Sequence, residues 1–112
     1  MITQWVRVAA TADLPPGEKM AVAVAGEEIA LFNLDGTVYA IGDICTHAEA
    51  SLSEGEFYDN LVECPLHGSA FDVTTGKAMV LPAMGNSGKY AVKVEDGGIY
   101  VDPVPVTPRS TR

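Results

Sequence analysis

Apolar and polar residues alternate along most of this chain with a period of two, the pattern of half-buried strands. Thr3 to Val8 reads as a first strand, and Met20 to Ala25 alternates Ala and Val. Glu28 to Leu34 and Thr37 to Ile41 follow, separated by Asp35–Gly36. An Asp-Gly step between two apolar runs predicts a tight hairpin, because that turn needs positive φ at both positions. Pro15-Pro16-Gly17 predicts an earlier turn. Towards the end, Tyr90, Val92 and Val94 alternate with Ala91, Lys93 and Glu95, and Gly97–Gly98 turns the chain into Ile99 to Asp102. No segment of ten residues or more carries a helical period. Short strands with frequent turns predict an all-β chain with an antiparallel β-sandwich or small barrel as its base.

Two regions depart from this pattern. Residues 43–85 are rich in Gly, Ser, Asp and Glu, with short apolar pieces at Phe57–Tyr58 and Leu61–Val62. They predict a subdomain of loops and short strands standing on the β base. Residues 103–112, PVPVTPRSTR, hold three prolines and no core-forming pattern, which predicts an extended, mobile tail. One domain over residues 1–102 is expected.

The chain has 112 residues, of which 15 are Asp or Glu and 7 are Lys or Arg, for a net charge of −8. A nucleic-acid partner is disfavoured, since phosphate binding needs a basic face. An acidic surface favours solubility and docking to basic patches on other proteins. No apolar run approaches the ~18 residues of a membrane span. The first residues do not read as a secretory signal, so a cytoplasmic setting, where free thiols persist, is expected.

Both cysteines and both histidines fall in two clusters, Cys45-Thr46-His47 and Cys64-Pro65-Leu66-His67. Buried free cysteines and satisfied histidines would have no reason to pair in this way, so the clusters point to metal. Structural zinc sites usually place two or more residues between paired ligands. The single residue between Cys45 and His47 makes it awkward for both to hold one ion. Two bridged irons suit the spacing better: Cys45 and Cys64 on one iron, His47 and His67 on the other. A colourless structural zinc module is the alternative.

The two boxes resemble those that bind the [2Fe–2S] cluster in Rieske proteins. Phe71-Asp72, Thr75-Gly76-Lys77 and Leu81-Pro82-Ala83 resemble the stretch after the second box in ferredoxins of bacterial aromatic-ring dioxygenases. Leu14-Pro15-Pro16-Gly17 and the Asp35–Gly36 hairpin extend the likeness over most of residues 3–102. The resemblance implies a Rieske fold and an electron carrier rather than an enzyme. Its partners would be a flavin-containing, NAD(P)H-dependent reductase and a terminal oxygenase that hydroxylates aromatic compounds. A small subunit of another enzyme, such as a nitrite reductase, is the alternative within the family. Respiratory and photosynthetic Rieske proteins bridge their cluster loops with two further cysteines. Here those positions are Ala50 and Leu66, so that bridge is absent.

Replacing two thiolates by neutral imidazoles removes negative charge from the cluster and raises its potential over that of an all-cysteine cluster. In high-potential Rieske proteins a serine matching Ser69 donates a hydrogen bond to a bridging sulfide. The tyrosine that accompanies it there is Phe71 here. Asp43, Glu49, Glu54, Glu56, Asp59 and Glu63 flank the boxes, with Lys77 the only base nearby in sequence. These charges predict a midpoint near the bottom of the ~−150 to +300 mV Rieske range. The resemblance also places the histidines at an exposed tip. Trp5, Phe32, Tyr39 and Tyr58 are expected to pack rather than to relay electrons.

Overall fold

The computed structural model describes residues 5–44, 50–65, 69–80 and 85–107. Among them there are eleven strands in three antiparallel sheets, two 3-10 turns and no α-helix. β1 (Val6–Ala10), β10 (Val92–Glu95) and β11 (Gly98–Val101) form one sheet in the order β1-β11-β10. β2 (Lys19–Val24), β3 (Glu27–Leu34), β4 (Thr37–Gly42) and β9 (Lys89–Tyr90) form the second, in that order. β5 (Phe57–Tyr58), β6 (Leu61–Glu63), β7 (Ala70–Asp72) and β8 (Ala78–Val80) form a small third sheet, also in chain order.

Local turn chemistry sets the hairpins. Leu34 pairs with Thr37 across Asp35–Gly36, whose φ values are 54° and 96°. These positive values suit the two-residue turn that the Asp-Gly step predicts. Ala25–Gly26 plays the same part between β2 and β3, with φ 52° and 82°. At the Pro-Pro-Gly turn the Glu18 N–H donates to the Pro15 carbonyl at 3.0 Å, and Gly17 takes φ 86°. The last hairpin turns on Asp96–Gly97 rather than on Gly97–Gly98. Gly98 already pairs with Glu95 and with Ala10, so it is the first residue of β11.

β3 is the wall between two cores. Ile29 and Leu31 face one side and pack with Leu14, Val24, Ala40, Tyr90, Ile99 and Val101 between the first two sheets. Ala30 and Phe32 face the other and pack with Ile41, Leu52, Val62, Cys64, Phe71 and Val73 under the small sheet. A strand covered on both faces reads as a continuous apolar run, as Ile29-Ala30-Leu31-Phe32 does. The Phe32 and Phe57 rings meet edge to face, 5.0 Å between centroids, and join the second sheet to the third.

A further expectation needs correction. The alternating run around Tyr90 to Val94 is two strands, not one. Tyr90 pairs with Ala40 in the second sheet, while Val92 pairs with Val101 in the first. The described part of the tail, residues 103–107, is hydrogen-bonded to β9. Lys89 N–H donates to the Thr107 carbonyl at 2.8 Å, and Val106 N–H donates to the Lys89 carbonyl at 2.7 Å. The tail thereby adds a bridge to the open edge of β9.

Candidate metal centre

Of the four residues expected to bind metal, Cys64 lies within the described residues; Cys45, His47 and His67 lie outside them. Leu81-Pro82-Ala83 lies outside them as well. The architecture around these segments is nevertheless defined by the residues on either side.

Cys64 follows β6 directly. It is 2 % exposed, forms no disulfide, and packs in the core with Leu52, Val62 and Phe71. Its N–H donates to the Ser69 carbonyl at 2.6 Å, and Glu63 pairs with Ala70. Residues 64 and 69 are thus held together across the segment that contains His67. Ser69 is fully buried.

The Cys45–His47 segment is flanked by an equally firm frame. Ile44 bridges Ser51 antiparallel. Asp43 N–H donates to the Glu28 carbonyl at 2.9 Å, and the Asp43 carbonyl accepts from Leu52 N–H at 2.6 Å. The Asp43 carboxylate accepts the Ser53 N–H at 2.8 Å, at the start of the 3-10 turn Leu52–Glu54. Leu52 sits in the same core as Cys64. The flanks of the two boxes therefore meet in one packed cluster of side chains.

The third segment, residues 81–84, is framed by Val80, which pairs with Ala70, and by the stretch through Ser87. Ser87 is buried, and its N–H donates to the Gly76 carbonyl at 2.8 Å. Its own carbonyl lies against the Cα of Gly42, where a Cβ would overlap it. Ala70 thus pairs on one side with the residue before Cys64 and on the other with the residue before Leu81.

Among the acids near the boxes, sequence reasoning treats six alike. Of the five that are described, four have distinct surroundings from the fifth. Glu54, Glu56 and Asp59 are exposed, Glu63 is half-buried, and Asp43 is 2 % exposed. Tyr58, expected to pack, is instead 43 % exposed and donates its hydroxyl to Glu63 at 2.6 Å. That bond, and then the carboxylates of Glu63, Glu56 and Asp59, raise the Tyr58 pKa above its ordinary 10.0. Trp5 lies over Lys93, its ring centroid 5.3 Å from Nζ.

Cys64, the one proposed donor among the described residues, suits a thiolate-bound metal centre. A buried, unbridged thiol stands at the mouth of a segment closed by a backbone hydrogen bond. No helix among the described residues is long and apolar enough to cross a membrane.

Comparison with known proteins agrees with this chemistry. Residues 4–101 match the family model described as Rieske [2Fe-2S] domain. The ferredoxin component of the naphthalene 1,2-dioxygenase system of Pseudomonas putida is 38% identical over 102 residues, 91% of this chain and 98% of that protein. The 3-phenylpropionate/cinnamic acid dioxygenase ferredoxin subunit of Escherichia coli K12 is 48% identical over 92 residues, 81% of this chain and 86% of that one. A chain in the solved complex of reduced oxygenase and oxidised ferredoxin of carbazole 1,9a-dioxygenase superposes with a TM-score of 0.88. It is 35% identical, and the match covers 96% of this chain and all of that one. With the match running almost from end to end, the chain belongs to the Rieske [2Fe–2S] domain family.

Proposed function

We propose that this protein is the ferredoxin of an aromatic-ring dioxygenase system, with Cys45 and Cys64 on one iron of its cluster and His47 and His67 on the other. It takes single electrons from a flavin-containing, NAD(P)H-dependent reductase. It delivers them to a terminal oxygenase that hydroxylates aromatic compounds. The [2Fe–2S] group, when bound, supplies a one-electron couple at a potential raised by its two imidazole ligands. The cytoplasm, where thiols stay reduced, is the setting this chemistry needs.

The observation that carries the reading is the buried, unbridged Cys64 in one core with Leu52. That core joins the flanks of the two Cys/His boxes. Ferredoxin relatives that match over nearly their whole length support the assignment. The chain's own part is to hold the donors and leave a face for partners. Catalysis would belong to the oxygenase, since both histidines are committed to the cluster.

Native purification should give a red-brown protein with two irons and two sulfides per chain. On reduction, its electron paramagnetic resonance spectrum should show the low average g-value of mixed His/Cys ligation. Cys64→Ser and His67→Ala should each lose the cluster. Stoichiometric zinc in a colourless native sample would overturn the reading. A stable, stoichiometric copurifying enzyme would replace the shuttle with a fixed subunit. Reduction by a flavin reductase, followed by turnover of a terminal oxygenase, tests the pathway itself.

A further inference from the structure

We infer that Asp96 is a site of spontaneous isomerisation to isoaspartate, and that the fold shields Asp35 from the same reaction. The chain has two Asp-Gly steps, Asp35–Gly36 and Asp96–Gly97. Such a step isomerises when the glycine nitrogen gives up its proton to water and attacks the aspartate Cγ. The N–Cγ bond forms and a Cγ–O bond breaks; the departing oxygen takes protons from solvent and leaves as water. The product is a cyclic succinimide. Water then opens the ring at either carbonyl, restoring the atoms that were lost. Opening on the backbone side leaves a main chain that runs through Cβ. Glycine favours the attack because no side chain covers its nitrogen.

The two steps occupy the same place in two similar hairpins. One lies between the paired residues Leu34 and Thr37, the other between Glu95 and Gly98. Their φ values are 54° and 96° in the first turn, and 50° and 76° in the second. Asp35, Gly36, Asp96 and Gly97 are all exposed. The hairpins differ in the residue just before the paired position, Asn33 in one and Val94 in the other. Gly36 N–H donates to Asn33 Oδ1 at 2.8 Å. Asn33 is 7 % exposed, and its Nδ2 donates to the Leu14 carbonyl at 2.8 Å, which fixes the accepting oxygen. A proton held in this way is slow to leave, as in protected amides generally. Val94 carries no acceptor, so the Gly97 N–H gains no such guard. The bonds that reach Gly97 run to its carbonyl, from Thr11 N–H at 2.9 Å and from Thr11 Oγ1 at 3.3 Å. They leave the nitrogen to solvent. An added backbone carbon in so short a turn breaks the Glu95–Gly98 register and draws Gly97 from Thr11. Ageing thus loosens the first sheet and spares the β3–β4 hairpin.

The test incubates the full chain at neutral pH in water enriched in heavy oxygen, followed by peptide mapping in ordinary water. Each ring opening writes a heavy oxygen into that step, and chromatography separates the isoaspartyl peptide. Native protein should label Asp96 several-fold faster than Asp35. In concentrated urea the two rates should converge, because only the Asp-Gly chemistry then remains. Asn33→Ala should raise labelling at Asp35 towards the Asp96 rate. Native labelling that is equal at the two steps, faster at Asp35, or absent from Asp96 would overturn the inference. A preference for Asp96 that persists unchanged in urea would do the same, since it would belong to neighbouring residues and not to the fold. If Asn33→Ala does not fold, the comparison of native with urea-unfolded wild type decides.

Discussion

At Gly55 one added methyl group would meet backbone. A Cβ there would overlap the Glu63 carbonyl, in the residue before Cys64. The backbone of Gly55 takes φ −85°, open to any residue, so contact alone demands glycine. Gly55→Ala should cost about 1–3 kcal/mol and lower Tm by several degrees, measured by calorimetry. It should also weaken cluster retention, because the displaced neighbour leads into Cys64. Tyr58 gives a second prediction at this scale. Its raised pKa means that the folded protein keeps the phenolic proton longer than the unfolded chain. The hydroxyl's contribution to stability is fully present below pH 10.0 and is lost as pH rises through the raised value. Glu63→Gln should shift one tyrosine of the ultraviolet pH titration back towards its ordinary range. An unchanged titration would mean that the hydroxyl does not engage Glu63 in solution. The Cys/His boxes are legible in the sequence because ligand chemistry resides in residue type and short spacing. The burial of Asp43 and the crowding at Gly55 are not, because Glu28, Ser53 and Glu63 come to them only through the fold.

Strands and hairpins were written locally wherever a turn dictates them. Asp35–Gly36 and Pro16–Gly17 specify their turns through φ, whatever surrounds them. The break at Ala91 carries no such signal. Alternation continues through it, yet Tyr90 and Val92 pair in different sheets, a choice made by Ala40 and Val101 elsewhere in the chain. The tail is hidden for the same reason: prolines and valines with no pattern find partners at Lys89 only once β9 lies beside β4. An open strand edge invites pairing with other chains, and the tail covers this one at Lys89. A chain ended at Asp102 should therefore exchange its Lys89 amide faster by hydrogen–deuterium exchange. The amides of Leu31 and Phe32, in the middle of the sheet, should stay protected.

Over the whole molecule, the net charge of −8 should govern encounter more than binding strength. Electron transfer with a basic-faced partner protein should slow steadily as salt rises, measured by stopped flow under second-order conditions. A rate indifferent to salt would mean that the acidic surface only keeps the protein dissolved. The all-β class and the two boxes were readable from the sequence, whereas the stacking of three sheets was not. It depends on β3 being covered on both faces, which a run of four apolar residues shares with many buried strands.

In the proposed centre Cys64 serves at once a core and a donor set, so its sulfur would tie metal loading to the solidity of the small sheet. Removing iron would leave a bare thiol among Leu52, Val62 and Phe71, with nothing to fix its direction. Stripped protein should therefore loosen first in β5 to β8, seen as broadened amide resonances there. The pairing of β2, β3 and β4, which depends on turns and apolar faces alone, should survive. Such a scaffold could remain folded while it waits for its inorganic cargo, and would set firm only after delivery.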